Sequence, residues 1–149
     1  MRSRITGLVA VLATLIAAAG CSEDSSGPNI NLTGSWTYTA TNISGSGVSC
    51  NVSTSSMTLT QTGNTFTGSA TGQIACVAGG QSVSNPFQGQ ITNGTITGNA
   101  VQFELSTADA RHIGTVSGNS MSGTLTLSLN VGAPIGTVVL TGNWSAVKQ

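Results

Sequence analysis

Charge, aromatic rings and histidine are all scarce in this sequence. Charged residues make up only 5% of the 149, the net charge is zero, and there is one histidine. Such a chain offers no basic surface for nucleic acid and few side chains for acid–base catalysis. Aromatic residues, at 4%, are too few for a stacking platform that binds sugars. Glycine, serine, threonine and asparagine are abundant instead, and this composition favours strands and turns over helices.

The stretch 114–129 shows the pattern of the whole chain. From residue 120 to 129, hydroxyl side chains alternate with apolar residues or glycine, which is the period of a strand with one buried face. Gly118 and Asn119 precede this strand and form a two-residue hairpin signal, because glycine readily takes the positive φ of a primed turn. The same Gly-Asn pair recurs at 63–64 and 98–99. The sequence therefore predicts a series of antiparallel hairpins.

Eight strands follow from this periodicity, and no segment after Leu32 has a convincing helical repeat. We predict the strands at residues 34–42, 56–62, 65–71, 87–97, 100–106, 112–117, 120–129 and 136–148. Asn93-Gly94 in the fourth strand and Gly142-Asn143 in the eighth are interpreted as bulges. Eight consecutive hairpin-linked strands predict an all-β fold, an antiparallel up-and-down β-barrel, which leaves no free sheet edge. A two-sheet β-sandwich is the alternative.

The connections between strands divide the predicted barrel into two ends. Gly-Asn turns follow strands two, four and six, whereas the other connections are longer, at 43–55, 72–86, 107–111 and 130–135. One end is therefore expected to be closed tightly and the other to form an open mouth. Cys50 and Cys76 fall in two of the mouth loops, and two cysteines in an exported protein commonly pair. A disulfide there would fasten both loops and contribute about 3–4 kcal/mol on chain-entropy grounds.

The amino terminus has the pattern of an export signal. Arg2 and Arg4 precede an apolar run over 8–19, which is too short to span a bilayer. The next residues complete Ala-Ala-Gly-Cys at 18–21, which resembles a bacterial lipobox, although leucine is commoner at its first position. In a lipobox the cysteine, here Cys21, becomes the acylated first residue of the mature protein.

This resemblance implies a domain organisation and a location. A lipoprotein signal peptide over 1–20 would be removed, a polar flexible tether would cover 21–31, and a β-barrel domain would cover 32–149. Acylation of Cys21 would anchor the protein stably in a membrane of the cell envelope. Ser22 after the cysteine implies the outer membrane where the organism has one. The alternative is an ordinary signal peptide with Cys21 as a free thiol.

A second resemblance rests on Gly34-Ser35-Trp36 at the start of the first strand. This Gly-x-Trp resembles the one that opens the first strand of lipocalins, and avidin-like barrels begin similarly. In that superfamily, the calycins, the tryptophan closes one end and a basic residue near the end of the last strand stacks on it. Lys148 stands at the matching position, which implies a cation–π pair in a lipocalin-like barrel. The alternative is that Trp36 and Trp144 are ordinary core residues.

Candidates for chemistry are few. The one polar cluster is Asp109, Arg111 and His112, in a short connection at the predicted mouth. It can be interpreted as a base with an orienting carboxylate, or as a turn in which Asp109 caps backbone amides and pairs with Arg111. The second interpretation is the simpler one. We therefore predict no enzyme activity, no cofactor and no metal site.

Two classes of function remain. The first is binding of a small apolar ligand inside the barrel through the mouth, and the candidate lining residues are Tyr38, Met57, Phe66, Phe103, Leu125 and Leu127. The second is a surface interaction or structural lipoprotein with a filled core, for example one resembling a barrel-shaped protease inhibitor, because an eight-stranded barrel can be filled by its own side chains. The expected partners are a membrane, through Cys21, and a small apolar ligand or a protein at the mouth, but no nucleic acid.

Overall fold

A computed structural model describes residues 30–130 and 136–149. Its strands are β1 (Gly34–Gly45), β2 (Val48–Thr62), β3 (Thr65–Ala78), β4 (Gln81–Thr97), β5 (Ala100–Leu105), β6 (Ala110–Ser117), β7 (Ser120–Asn130) and β8 (Thr137–Lys148). A 3₁₀ turn, Thr107–Asp109, joins β5 to β6. The predicted signal peptide, Cys21 and most of the predicted tether lie outside the described residues.

The strands form a closed barrel. Each strand pairs with its neighbour in the chain, and β1 pairs antiparallel with β8. The predicted eight-stranded antiparallel up-and-down barrel is confirmed, and the sandwich alternative is wrong. Closure follows from the unbroken succession of hairpins, because a sheet whose last strand returns to its first leaves no edge unpaired.

Three Gly-Asn turns close one end, as predicted. Gly63, Gly98 and Gly118 have φ between 57° and 60°, the positive value required at the first central position of a type II′ turn. Each turn is also bonded to the next hairpin. The backbone N–H groups of Ile96, Val116 and Lys148 donate to the carbonyls of Asn64, Asn99 and Asn119, at 2.8–2.9 Å. These bonds attach each turn of the closed end to the next strand around the barrel.

The two long loops predicted at 43–55 and 72–86 are wrong, because these segments are strand. β1 and β2 meet at a tight turn, Ser46-Gly47, and β3 and β4 meet at Gly79-Gly80. All four turn residues have positive φ, as in a type I′ turn. The polar composition of these segments suggested loops, yet regular backbone pairing extends to both turns. Strands β1–β4 therefore project beyond the mouth as a raised wall, while β5 and β6 remain short.

Bulges interrupt the regular strand pairing. The predicted bulge at Asn93-Gly94 is confirmed, because pairing on both sides of β4 shifts there and Asn93 has φ 53°. The other predicted bulge is displaced: β8 is regular against β7, and the irregularity lies in β1 around Asn42, which has φ 54°. Gly142 marks the same point, since a Cβ there would meet the Ile43 backbone at 2.8 Å.

The barrel interior below the mouth is filled by side chains. Trp36, Met57, Leu59, Phe66 and Met121 are all at most 2% exposed. The Trp36 Nε1 group donates to the Leu32 carbonyl at 2.9 Å, so the indole is held by the chain segment that precedes β1. This packing leaves no room for a ligand that passes through the whole barrel.

The Trp36–Lys148 pair implied by the Gly-x-Trp resemblance is present. The Lys148 Nζ atom lies 5.7 Å from the centre of the Trp36 ring and donates to the Asn31 carbonyl at 2.8 Å. The pair joins the start of β1 to the end of β8, at the closed end.

Candidate ligand pocket at the barrel mouth

A cavity of about 80 Å³ lies at the mouth and is partly open to solvent. Its walls come from the barrel rim, the raised wall and the 3₁₀ turn. The lining is almost entirely apolar and consists of Tyr38, Ile43, Val52, Ile74, Phe87, Leu105, Thr107, Ala108, Ala110, His112, Leu125, Leu127 and Leu129. Apolar side chains from opposite sides of the barrel converge here because inward-facing positions alternate along every strand.

Packed aromatic rings form the floor of this mouth pocket. His112 stacks on Phe103 with ring centres 4.3 Å apart and planes 8° from parallel. Tyr38 and Trp144 contact the same imidazole edge-on, at 5.7 and 5.6 Å. The indole of Trp144 fits because Gly114 and Gly123 are paired beneath it, and a Cβ on Gly114 would meet the indole at 2.8 Å. This layer separates the pocket from the filled interior.

Hydrogen bonds fix the His112 ring within this layer. Its Nδ1 atom lies 3.2 Å from the Ala110 carbonyl, and its Nε2 atom lies 2.9 Å from the Tyr38 hydroxyl. A carbonyl can only accept, so the neutral ring carries its proton on Nδ1 and accepts at Nε2 from the tyrosine. Burial lowers the pKa of His112 to about 4, and the bond to Ala110 opposes this only in part. Burial also raises the pKa of the Tyr38 hydroxyl well above its usual range.

The 3₁₀ turn forms the low side of the pocket. Thr107 donates through Oγ1 to the Gln88 carbonyl at 2.9 Å, and Ser106 Oγ accepts from the Gln90 N–H at 2.9 Å. Ala108 has φ 58° and Asp109 has φ 44°, left-handed conformations that cost free energy in non-glycine residues. The two side-chain bonds to β4 hold the turn in this conformation, with Ala108 facing the cavity.

A disulfide joins Cys50 and Cys76 in the raised wall, as predicted, with an S–S length of 2.07 Å. Both cysteines lie in strands rather than loops, directly opposite each other in the pairing of β2 with β3. The bond therefore reinforces a sheet that is already paired. Cys50 is fully buried and Cys76 partly buried, on the same face as the pocket residue Ile74.

The six side chains predicted to line the interior are all buried but occupy two levels. Tyr38, Leu125 and Leu127 line the mouth pocket. Met57, Phe66 and Phe103 instead belong to the packed core. The sequence pattern identified which side chains face inward, but it carried no information on their height in the barrel.

The polar cluster predicted at the mouth does not converge, although His112 itself lines the mouth pocket. β6 begins at Ala110, so Arg111 and His112 are consecutive strand residues and point to opposite faces. His112 is 1% exposed inside the barrel, whereas Arg111 and Asp109 are exposed outside. Neither arrangement considered for Asp109, a catalytic carboxylate or a partner of Arg111, occurs in the described part of the chain.

Several pocket residues were not predicted, namely Ile43, Val52, Ile74 and Phe87 in the raised wall, Leu105, Thr107, Ala108 and Ala110 around the 3₁₀ turn, and Leu129 in β7. Ile43, Val52 and Ile74 fell in segments interpreted as loops, and Phe87 was the first residue of a predicted strand. Gly79-Gly80 is a recognised hairpin signal and was sufficient to indicate the β3–β4 extension.

Within residues 30–130 and 136–149, no cluster of three or more histidine, cysteine, aspartate or glutamate side chains is arranged to hold a metal ion. Within the same residues, no helix has the length and apolarity needed to span a membrane.

Comparison with known proteins gives no family assignment. The chain matches no protein-family model, no curated protein and no solved structure. A proposal of function therefore rests on the sequence pattern and the geometry of the structure.

Proposed function

We propose that this chain is an exported, lipid-anchored barrel protein that binds a small apolar molecule, or the end of an apolar chain, in its mouth pocket, without catalysing a reaction. The observation that carries the proposal is the pocket itself. Ten of its thirteen lining side chains have no polar atom, and they surround open space above a packed aromatic floor. Apolar surface left accessible in a concavity favours apolar ligands.

The size of the cavity limits the ligand. An engineered cavity of about 150 Å³ holds benzene, whereas the present cavity is about 80 Å³. A few carbon atoms can enter the enclosed part. The rest of a longer ligand would lie against the half-buried side chains of Ile74, Phe87 and Leu129 on the open side.

The anchor would leave the mouth accessible. The segment that leads back to Cys21 joins β1 at the closed end, where Leu32 packs against Trp36. A membrane anchor at Cys21 would thus attach to the end opposite the pocket. The lipobox at 18–21 and the basic, apolar pattern before it support export and anchoring.

Ligand binding can be tested with hexanol, whose narrow chain suits the cavity, by following chemical-shift changes of the backbone amides in NMR spectra. Leu129→Trp places a larger ring in the pocket opening and should abolish the shifts around the pocket. Val139→Trp is the matched control, because Val139 is 57% exposed on the outside of the neighbouring strand. Equal binding by both variants would contradict the mouth pocket as the site.

Anchoring has a separate test. Cys21→Ser removes the acylation site and should move the protein from the membrane fraction to the soluble fraction after cell lysis. Mass spectrometry of the wild-type amino terminus should find acyl chains on Cys21. An unmodified wild-type terminus would contradict lipid anchoring and leave the ligand proposal intact.

A second candidate function is docking of a protein on the raised wall. Val77 and Val83 are 46% and 54% exposed near its tip, and residues 81–87 of β4 have no strand partner on the β5 side within the described chain. Such an edge can accept an added strand. A Val83→Lys variant that loses a protein partner captured by the wild type, yet still binds hexanol, would favour this function.

A further inference from the structure

Three side chains with polar atoms line the mouth pocket among the described residues: Tyr38, Thr107 and His112. The chemistry of a ligand depends on what these three groups still offer once their internal hydrogen bonds are made. Each carries one hydrogen able to form a hydrogen bond, when the histidine is neutral.

All three hydrogens are already used. Thr107 donates to the Gln88 carbonyl, and His112 donates from Nδ1 to the Ala110 carbonyl. The remaining hydrogen, on the Tyr38 hydroxyl, goes to His112 Nε2, because this nitrogen has no proton of its own when Nδ1 is protonated. The lining side chains therefore present no free donor. The hydroxyl oxygens of Tyr38 and Thr107 retain lone pairs and can still accept.

We infer that the mouth pocket selects neutral apolar molecules that carry a hydroxyl or N–H group, which donates to the Tyr38 hydroxyl oxygen, and that it rejects carboxylates and other anions. This inference rests on the proposed ligand-binding function and narrows it to a chemical class. Tyr38 is the more effective acceptor because it is 4% exposed, whereas Thr107 lies half-buried at the rim, where water competes.

Anions are excluded for two reasons. A carboxylate needs donors to replace the water it loses, and the lining side chains have none to give. No lysine or arginine among the described residues lines the cavity either. Arg111 lies between the lining residues Ala110 and His112 in the sequence, but its side chain faces the outside of the barrel. An ether or ester would enter more readily than an anion but would leave its oxygen without a donor.

Three six-carbon probes test this selectivity at neutral pH: hexanol, its isomer pentyl methyl ether, and hexanoate. Binding to the full chain carrying Cys21→Ser is followed by chemical-shift changes in NMR spectra of the backbone amides. Hexanol should bind about 3- to 10-fold more tightly than the ether, the difference that one hydrogen bond makes. Hexanoate should produce no shifts around the pocket.

A variant reverses the expected preference. In His112→Phe the tyrosine loses its acceptor, so its hydrogen becomes available to the ligand, and the ether should then bind at least as tightly as hexanol. Phe103→Leu is the control, because it alters packing against the same imidazole without touching the hydrogen bonds. It should retain the preference for hexanol. Should either variant fail to fold, the three wild-type affinities decide the question.

The outcomes separate the two proposals. If none of the three probes binds, both the ligand-binding function and this inference are overturned. If the ether or hexanoate binds as tightly as hexanol, the pocket binds apolar ligands but the selectivity is wrong. A preference for hexanol that persists unchanged in His112→Phe would also overturn the assigned hydrogen-bond directions.

Discussion

The two ends of this barrel are built from the same strands but differ in packing: the closed end is filled by side chains, and the mouth contains a cavity. At the closed end, Gly-Asn turns are linked by backbone hydrogen bonds, and Trp36 fills the interior at 1% exposure. At the mouth, β1–β4 continue as a raised wall, and Phe87 and Leu129 remain half-buried around a cavity. The difference indicates that the closed end contributes mainly stability, whereas the mouth leaves apolar surface available for contact.

The largest effect is expected from removing the ring that fills the closed end. Trp36→Ala should lower the free energy of unfolding by about 3–5 kcal/mol, because it leaves a large cavity and removes the bond to Leu32. Phe87→Ala at the mouth should cost about 1–2 kcal/mol, since that ring is only half-buried. Urea unfolding followed by circular dichroism measures both. Equal losses would contradict the contrast between the two ends.

The second-largest loss of stability is expected from removing the disulfide in the raised wall. Its cysteines are 26 residues apart, so replacing both with alanine should cost about 3–4 kcal/mol through the freedom gained by the unfolded chain. The barrel should still fold, because Trp36 and the closed end are untouched. Thermal unfolding with and without reductant provides the check: reductant should lower the wild-type melting temperature and leave the double variant unaffected.

His112 should make stability depend on pH. Its pKa is about 4 in the folded protein and near 6.5 when unfolded, so between these values the unfolded chain binds more protons. Stability is therefore full above pH 6.5 and should fall by about 3 kcal/mol as the pH drops to 4. Unfolding measured from pH 7.5 to 4 tests this, and His112→Phe should remove most of the slope. A slope that survives the substitution would assign it to other groups.

The smallest effect is expected at Lys148. Replacing it with methionine keeps much of the side-chain packing and removes the charge over Trp36, at a cost of about 0.5–1 kcal/mol. Val147→Met, an exposed neighbour on the same strand, is the control and should be neutral. A loss above 2 kcal/mol in Lys148→Met would show that its bond to the Asn31 carbonyl contributes more than the cation–π contact.

The fold was predictable because its signals are local. Gly-Asn turns at 63–64, 98–99 and 118–119 fix three hairpins, and strict alternation assigns the buried face of β7. The raised wall was not predicted, because its serine, glycine and asparagine residues are typical of loops. Pairing with the neighbouring strands and the disulfide hold those residues as strand, and the local signal for this was the Gly79-Gly80 turn.

The pocket was less predictable than the fold. Tyr38, Leu125 and Leu127 were expected to face inward, but their meeting point depends on the stagger of strands around the barrel. β6 begins at Ala110, two residues earlier than predicted, so His112 lies within the strand with its ring inside the barrel, apart from Asp109 and Arg111. The directions of the hydrogen bonds around His112 follow from the position of the Ala110 carbonyl, which the sequence does not reveal.

The rim of the barrel is higher on the side of the raised wall than on the side of β5 and β6, and this difference affects the rates at which a ligand would bind and leave. β4 runs ten residues beyond its first pairing with β5, from Gln81 to Gln90, so the cavity is sheltered on one side and open on the other. A ligand would enter and leave over this low side past a short anchored turn. The residence time of the ligand should then depend on how much of its apolar surface is buried in the pocket. Each additional buried methylene, at about 0.8 kcal/mol, should lengthen that time about fourfold.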